Sequence, residues 1–148
     1  MKQDSQPNLP VFRPGSEGLE KMLGKLEAQV MEAVWGADGA VCVDDVREAL
    51  AAGGKEAAYT TVMTTLSRLH AKGLLGREQH GKAYYYTPRV SRRELTSGVT
   101  KQVIDSLLTT FAEPAMAYFV EALGADHPDK LEALADMIAR KQKTEKKK

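Results

Sequence analysis

Cysteine is nearly absent from the chain, because Cys42 is the single one among 148 residues. One cysteine cannot form an internal disulfide, and such sparse usage fits a reducing compartment. The three histidines, His70, His80 and His127, are not spaced with Cys42 as zinc ligands, so we expect no metal site. The sequence has neither a glycine-rich phosphate loop nor a pair of catalytic carboxylates. These absences predict that the protein is not an enzyme and uses no cofactor.

Long hydrophobic runs are missing as well. The sequence contains no segment of about 18 apolar residues, and residues 1–19 lack the apolar core of a secretion signal. We therefore expect a cytoplasmic protein with no membrane partner. Residues 1–19 are mostly polar, contain prolines and glycines and show no periodicity, which predicts a disordered N-terminal arm.

The net charge of +1 conceals a segregation of charge along the chain. Residues 17–50 carry three positive and eight negative charges, whereas residues 55–93 carry eight positive and two negative charges. Residues 94–139 are acidic again, and residues 141–148 form a basic tail. A local positive field attracts polyanions even when the whole molecule is nearly neutral. The basic block at residues 55–93 is therefore the candidate region for a nucleic-acid contact.

The spacing of apolar residues predicts a mainly α fold, with a winged helix-turn-helix DNA-binding domain followed by a helical dimerisation domain. Residues 20–88 supply the order helix, short strand, helix, helix, strand, turn, strand, with the turn at His80–Gly81. In the last strand, Tyr84 and Tyr86 share the face that we expect to pack inward, which leaves Tyr85 pointing outward.

Residues 91–140 predict three amphipathic helices, of which the second begins at Pro114 and stops at Gly124. Three such helices in a segment of about 50 residues cannot readily bury their apolar faces on one another alone. We therefore expect them to pack against a second copy and to form a homodimer. The apolar residues assigned to dimerisation are Leu107, Leu108, Phe111, Met116, Phe119, Val120, Leu123, Leu131, Leu134 and Ile138.

The third predicted helix is unusually rich in threonine. In the segment "AYTTVMTTLSRL" (residues 58–69), four of the 12 residues are threonine, which is a poor helix former. A helical wheel gathers the apolar side chains on one side, namely Tyr59, Val62, Met63, Leu66 and Leu69. The opposite side carries hydroxyl groups and cations and no acid. A threonine hydroxyl can bond to a phosphate or a base edge, and its short side chain lets a helix lie close in the major groove.

The basic turn between the two predicted strands would form the wing, where cations can neutralise backbone phosphates. Any one of these residues could be ordinary surface, but the threonine helix, the basic wing and the basic block together favour a DNA contact. The predicted DNA-binding residues are Thr60, Thr61, Thr64, Thr65, Arg68 and Lys72 on the third helix, and Arg77, His80 and Lys82 on the wing.

Two other functions stay open from the residues alone. A winged helix can serve as a protein–protein interaction module, in which case the exposed face of the third helix should be apolar or acidic. A small-molecule-responsive regulator would need an effector pocket between the domains, and no motif in the sequence marks one.

Four segments resemble the penicillinase repressor family (the BlaI/MecI/CopY group): "LEAQVMEAVW" (26–35), "VDDVREAL" (43–50), "AYTTVMTTLSRLHAKGLL" (58–75) and "GKAYYYTP" (81–88). The resemblance covers about residues 20–140. It implies a homodimeric winged-helix transcriptional repressor that binds a palindromic DNA operator. It also implies relief of repression through a sensor protease or loss of dimerisation, and the cleaved bond of the family maps onto Tyr118–Phe119.

Overall fold

The computed structural model describes residue 12 and residues 18–146. Most of the expected N-terminal arm, residues 1–19, therefore lies outside the described residues. The chain divides into two compact units, one up to Gln102 and one from Val103 onwards. This division falls later than the expected start of the helical domain, since Leu95 and Val99 are still buried whereas no described residue of the second unit is.

The first unit has the predicted winged helix-turn-helix fold. After a 3₁₀ turn at Gly18–Lys21, its elements follow in the order α1 (Lys25–Trp35), α2 (Val43–Ala52), α3 (Tyr59–Ala71), β1 (Leu75–His80) and β2 (Ala83–Pro88). The three helices and the hairpin each turn an apolar side inward, and these sides together form the core. The largest fully buried side chains are those of Leu23, Val30, Met31, Val34, Val46, Val62, Leu66, Leu69, Leu74, Leu75, Tyr86 and Leu95.

β1 and β2 form the antiparallel hairpin of the wing, in a register that pairs Leu75 with Pro88 and His80 with Ala83. The connecting residues are Gly81 and Lys82, one position later than the predicted turn. Gly81 has a φ of +66°, a conformation that a two-residue hairpin turn requires and that glycine adopts without steric cost. Val41 extends the sheet by a bridge to Tyr86, with backbone N–O distances of 2.9 and 2.8 Å.

α4 spans Arg92–Asp126 and crosses from the first unit into the second. Its backbone leaves the helical conformation at Phe111 (φ −128°, ψ 38°), so two helical segments meet there. Pro114 lies in the first turn after this break, where its missing N–H costs no helical hydrogen bond. The expected stop at Gly124 is wrong, because α4 continues to Asp126.

α5 spans Pro128–Lys146 and includes residues 141–146, which the sequence analysis assigned to a basic tail. It packs near α4 at Gly124, where an added Cβ would lie 3.6 Å from Cδ2 of Leu131. In the range that the structure describes, no helix is both long and apolar enough to cross a membrane.

Candidate nucleic-acid interface

α3 turns a slightly different side to the core than the helical wheel predicted. Its buried residues are Val62, Thr65, Leu66 and Leu69. Tyr59 and Met63, which were expected inside, are 45% and 42% exposed. The wheel treated every threonine as polar, whereas the methyl group of Thr65 packs inward and shifts the buried side by about one position.

The expectation that Thr65 belongs to the exposed face is therefore wrong. Thr65 is only 6% exposed, and its hydroxyl donates a hydrogen bond of 2.8 Å to the carbonyl oxygen of Thr61. This local bond satisfies the hydroxyl, so burial of the side chain leaves no unpaired polar group. Thr65 acts as a core residue of the first unit.

The remaining predicted residues of α3 do reach the surface. Thr60, Thr61, Thr64 and Arg68 are exposed, and α3 itself contributes no acidic side chain to this face. The hydroxyl of Thr64 donates a 2.8 Å hydrogen bond to the carbonyl oxygen of Thr60. Since its hydrogen is engaged, Thr64 offers outward an oxygen that accepts hydrogen bonds, together with its methyl group.

This face forms one wall of a groove of about 420 Å³. The opposite wall is the start of α1, with Gly24, Leu26 and Glu27. The positive end of the α1 dipole and the carboxylate of Glu27 both lie at this wall. α3 and the first turn of α1 thus line one continuous surface.

Lys72 does not stand free at this surface, as the sequence analysis had assumed. Its Nζ lies 2.7 Å from Oε2 of Glu27, and the Glu27 side chain is only 18% exposed. Glu27 precedes Lys72 by 45 residues, so a wheel drawn for α3 alone could not reveal the pair. One of the predicted cations is therefore partnered within the fold.

The wing places its predicted residues at different positions along the hairpin. Arg77 stacks on Tyr84, with the guanidinium carbon 4.2 Å from the ring centroid, and Lys82 is exposed in the turn. Nε2 of His80 lies 3.5 Å from Oε2 of the exposed Glu78. Lys82 is thus the cation at the tip, whereas Arg77 lies farther back on β1.

The three tyrosines of β2 behave in part as predicted. Tyr86 is buried, as expected, whereas Tyr84 is exposed and Tyr85 is half-buried. The expectation that Tyr84 packs inward is wrong, because Arg77 of the neighbouring strand covers its ring instead of a helix.

A positive field surrounds the end of α3. Burial lowers the pKa of His70 from its ordinary value, and the charges of Arg77 and Arg89 lower the pKa further. Two guanidinium groups therefore act on this imidazole, which is the local consequence of the basic block seen in the sequence.

Sequence reasoning missed a set of contacts that joins α1 to the beginning of α4. Nε1 of Trp35 donates a 2.9 Å hydrogen bond to the carbonyl oxygen of Val90. The Arg92 guanidinium lies 5.2 Å from the Trp35 ring centroid and forms an ion pair with Glu32. The hydrogen bonds that Arg92 donates to Glu32, and the charge of that carboxylate, raise the pKa of Arg92 above its ordinary value. The helical spacing of α1 gave no hint of these partners, which are more than 50 residues away.

The predicted dimerisation residues form a second surface, in the second unit. Leu107, Leu108, Phe111, Met116, Phe119, Val120 and Ile138 are exposed, and Leu123, Leu131 and Leu134 are half-buried. An apolar groove of about 210 Å³ lies among Ile104, Leu107, Leu108, Ala115, Met116 and Phe119. Contiguous apolar surface of this kind is typical of interaction sites in soluble proteins. The described single chain leaves it in contact with water.

The bond between Tyr118 and Phe119 lies inside α4 and near this groove. Tyr118 is 71% exposed and Phe119 is also exposed. The bond is accessible to solvent but lies in helical backbone.

Among the residues that the structure describes, no group of three or more His, Cys, Asp or Glu side chains could hold a metal ion. Cys42 is a half-buried free thiol at the start of α2, where its backbone N–H donates a 3.0 Å hydrogen bond to Asp45. Cys42 therefore takes part in capping the N-terminal end of α2.

Known proteins resemble this chain over most of its length. The sequence family described as "Penicillinase repressor" matches residues 23–140. Two relatives, both called "Transcriptional regulator BlaI", come from the CDC 1551 / Oshkosh and ATCC 25618 / H37Rv strains of Mycobacterium tuberculosis. Each is 38% identical over 122 residues, which cover 79% of this chain and 86% of the relative.

Proposed function

This chain belongs to the penicillinase repressor family of transcriptional repressors, and we propose that it acts as a homodimer that binds a palindromic DNA operator through α3 and the wing. The observation that carries the proposal is the exposed side of α3. There Thr60, Thr61, Thr64 and Arg68 line a groove with the first turn of α1.

The chemistry of this side fits a DNA groove better than water. Hydroxyl oxygens and methyl groups can meet base edges, and Arg68 can bind a phosphate or a base. The exposed Tyr59 and Met63 flank the same helix and can make apolar contacts with thymine methyl groups or sugars. An ordinary solvated helix would carry both signs of charge here, and α3 carries no acid on this face.

The wing supports the same arrangement. Lys82 lies exposed in the hairpin turn, where its ammonium group can bind backbone phosphate whatever the base sequence. Arg77 lies behind it on β1 and adds positive charge, and His80 lies at the end of the same strand, with Nε2 3.5 Å from Oε2 of Glu78.

Dimerisation is supported by the second unit. Its predicted interface residues are exposed or half-buried in the described chain, and four of them, Leu107, Leu108, Met116 and Phe119, line the apolar groove. A second copy would cover this apolar surface, and a two-fold axis would present two copies of α3 to two half-sites.

Loss of the dimer would relieve repression. Two linked copies of α3 bind two half-sites of DNA far more tightly than one copy binds one half-site, so loss of the dimer releases the operator. The Tyr118–Phe119 bond lies beside the apolar groove, and cleavage there by a sensor-controlled protease would divide the second unit. Local unwinding of α4 would have to precede cleavage, since proteases bind extended backbone.

The direct test is selection of sites from random duplex DNA by the purified protein, followed by gel-shift titration at several salt concentrations. We expect a palindromic site bound by two chains. If about eight phosphates are contacted, the logarithm of the affinity should fall with the logarithm of the salt concentration with a slope near −7. A duplex with one half-site is the matched control and should bind much more weakly. Binding without sequence preference would contradict the proposal.

A further inference from the structure

We propose that Glu27 limits the sequence-independent affinity of this protein for DNA, by neutralising positive charge beside the reader helix. The inference rests on the proposed function, because it assigns a role to a carboxylate within the candidate DNA interface. Among the described residues that line the groove with Thr60, Thr61, Thr64 and Arg68, Glu27 is the one that is acidic.

The side chain of Glu27 is held in place. Oε2 is 2.7 Å from Nζ of Lys72, and the side chain is largely buried. The other oxygen, Oε1, lies over the first turn of α1, within 3.6 Å of the point that a Cβ of Gly24 would occupy. The ion pair and the burial of the side chain together hold this carboxylate beside Lys72.

Glu27 thereby offsets two positive features at once. One is the ammonium group of Lys72, and the other is the N-terminal end of the α1 dipole. Both would otherwise be offered to phosphates. A phosphate that approached Lys72 would also approach the carboxylate, and like charges repel at this distance.

Removal of this carboxylate has a calculable effect on DNA binding. If Glu27→Gln frees Lys72 to contact one more phosphate, the salt slope should steepen by about 0.9. Relative to 1 M salt, that contact strengthens binding about fivefold at 0.15 M and about fifteenfold at 0.05 M. The gain should occur on DNA of any sequence, since phosphate contacts carry no base information.

The experiment measures the dissociation constant of random-sequence duplex from 0.05 to 0.3 M salt for the full chain and three variants. Glu27→Gln should bind more tightly, with the steeper slope. The double variant Glu27→Gln/Lys72→Met should lose this gain. Glu20→Gln is the matched control, because it removes the same charge from a different groove, next to Leu50 and Gly53. It should change the affinity less than twofold.

Two results would overturn the role of Glu27. One is a Glu27→Gln slope equal to that of Glu20→Gln. The other is a lower melting temperature with unchanged DNA affinity, which would make the pair a link between α1 and α3 only. Wild-type protein that showed no salt-dependent DNA binding would remove the proposed function itself. Normal wild-type binding with an unchanged Glu27→Gln slope would remove only this inference.

Discussion

Nε1 of Trp35 donates a hydrogen bond to the carbonyl oxygen of Val90, 55 residues away along the chain, at 2.9 Å. This bond joins the end of α1 to the segment that leads into α4. Arg92, two residues after Val90, stacks on the same indole and pairs with Glu32. The hydrogen bond to Val90, just before α4, and the stacking and ion pair of Arg92 in its first turn therefore hold the start of α4 against α1.

Replacement of Trp35 by phenylalanine should lower the free energy of unfolding by about 1–3 kcal/mol, because the variant leaves the part-buried Val90 carbonyl without its partner. Urea unfolding followed by circular dichroism measures the change. Arg92→Gln removes the more exposed ion pair and should lower the stability less than the Trp35 replacement does, because solvent screens exposed ion pairs. The opposite ranking of the two variants would show that the ion pair, and not the indole bond, holds this junction.

Replacement of Thr64 or Arg68 by alanine should weaken operator binding without affecting the dimer. Thr64→Ala or Arg68→Ala should cost about 1–3 kcal/mol of specific binding, which is the usual value of a base contact. Gel-shift titration measures the loss, and sedimentation confirms the oligomeric state. Thr65→Val provides a matched control one residue away, because Thr65 is buried and its hydroxyl is engaged within α3. Equal losses in Thr64→Ala and Thr65→Val would argue that stability, rather than contact, is being measured.

A charge in the apolar groove of the second unit should prevent dimerisation. In Leu108→Glu a carboxylate would have to be buried between two chains, which is strongly unfavourable for an unpaired charge. Sedimentation equilibrium should then show monomers, and operator affinity should fall at least tenfold. Tyr118→Glu is the control, because Tyr118 does not line the groove. A dimer that survives Leu108→Glu would place the contact between copies elsewhere.

Stability should fall as the pH is lowered through the titration range of His70. Burial, followed by the charges of Arg77 and Arg89, lowers the pKa of His70 in the folded state, whereas the unfolded chain titrates near about 6.5. The unfolded state therefore binds the proton first, and protonation favours unfolding as the pH drops below about 6.5. Urea unfolding at pH 7.5 and pH 5.5 should show this loss, and His70→Gln should reduce it. An identical pH dependence in the variant would assign the effect to other groups.

Much of the fold followed from local signals. The helices of the first unit, the hairpin and the break before Pro114 each depend on residues close in sequence, such as Gly81 and Pro114 itself. Local spacing also placed Thr60, Thr61, Thr64 and Arg68 on the outside of α3. These predictions rest on backbone preferences and on the period of the helix, which act over a few residues.

The failures share a different physical origin. Thr65 is buried because a threonine can satisfy its hydroxyl within the helix, so polarity alone misplaced it. Gly124 does not end α4, which continues for two more residues to Asp126, because a glycine near the end of a helix lowers its stability without fixing its last residue. The partners of Lys72 and Trp35 are distant in sequence, and only the folded chain brings them together.

The hydrogen bond from Thr64 to the carbonyl of Thr60 restricts which bases this residue can meet. Its oxygen can accept from the amino group of adenine or cytosine, and its methyl can pack on that of thymine. Guanine presents only acceptors on its own major-groove edge, and Thr64 has no hydrogen left to give. In the proposed complex, the base that Thr64 contacts directly should therefore not be guanine.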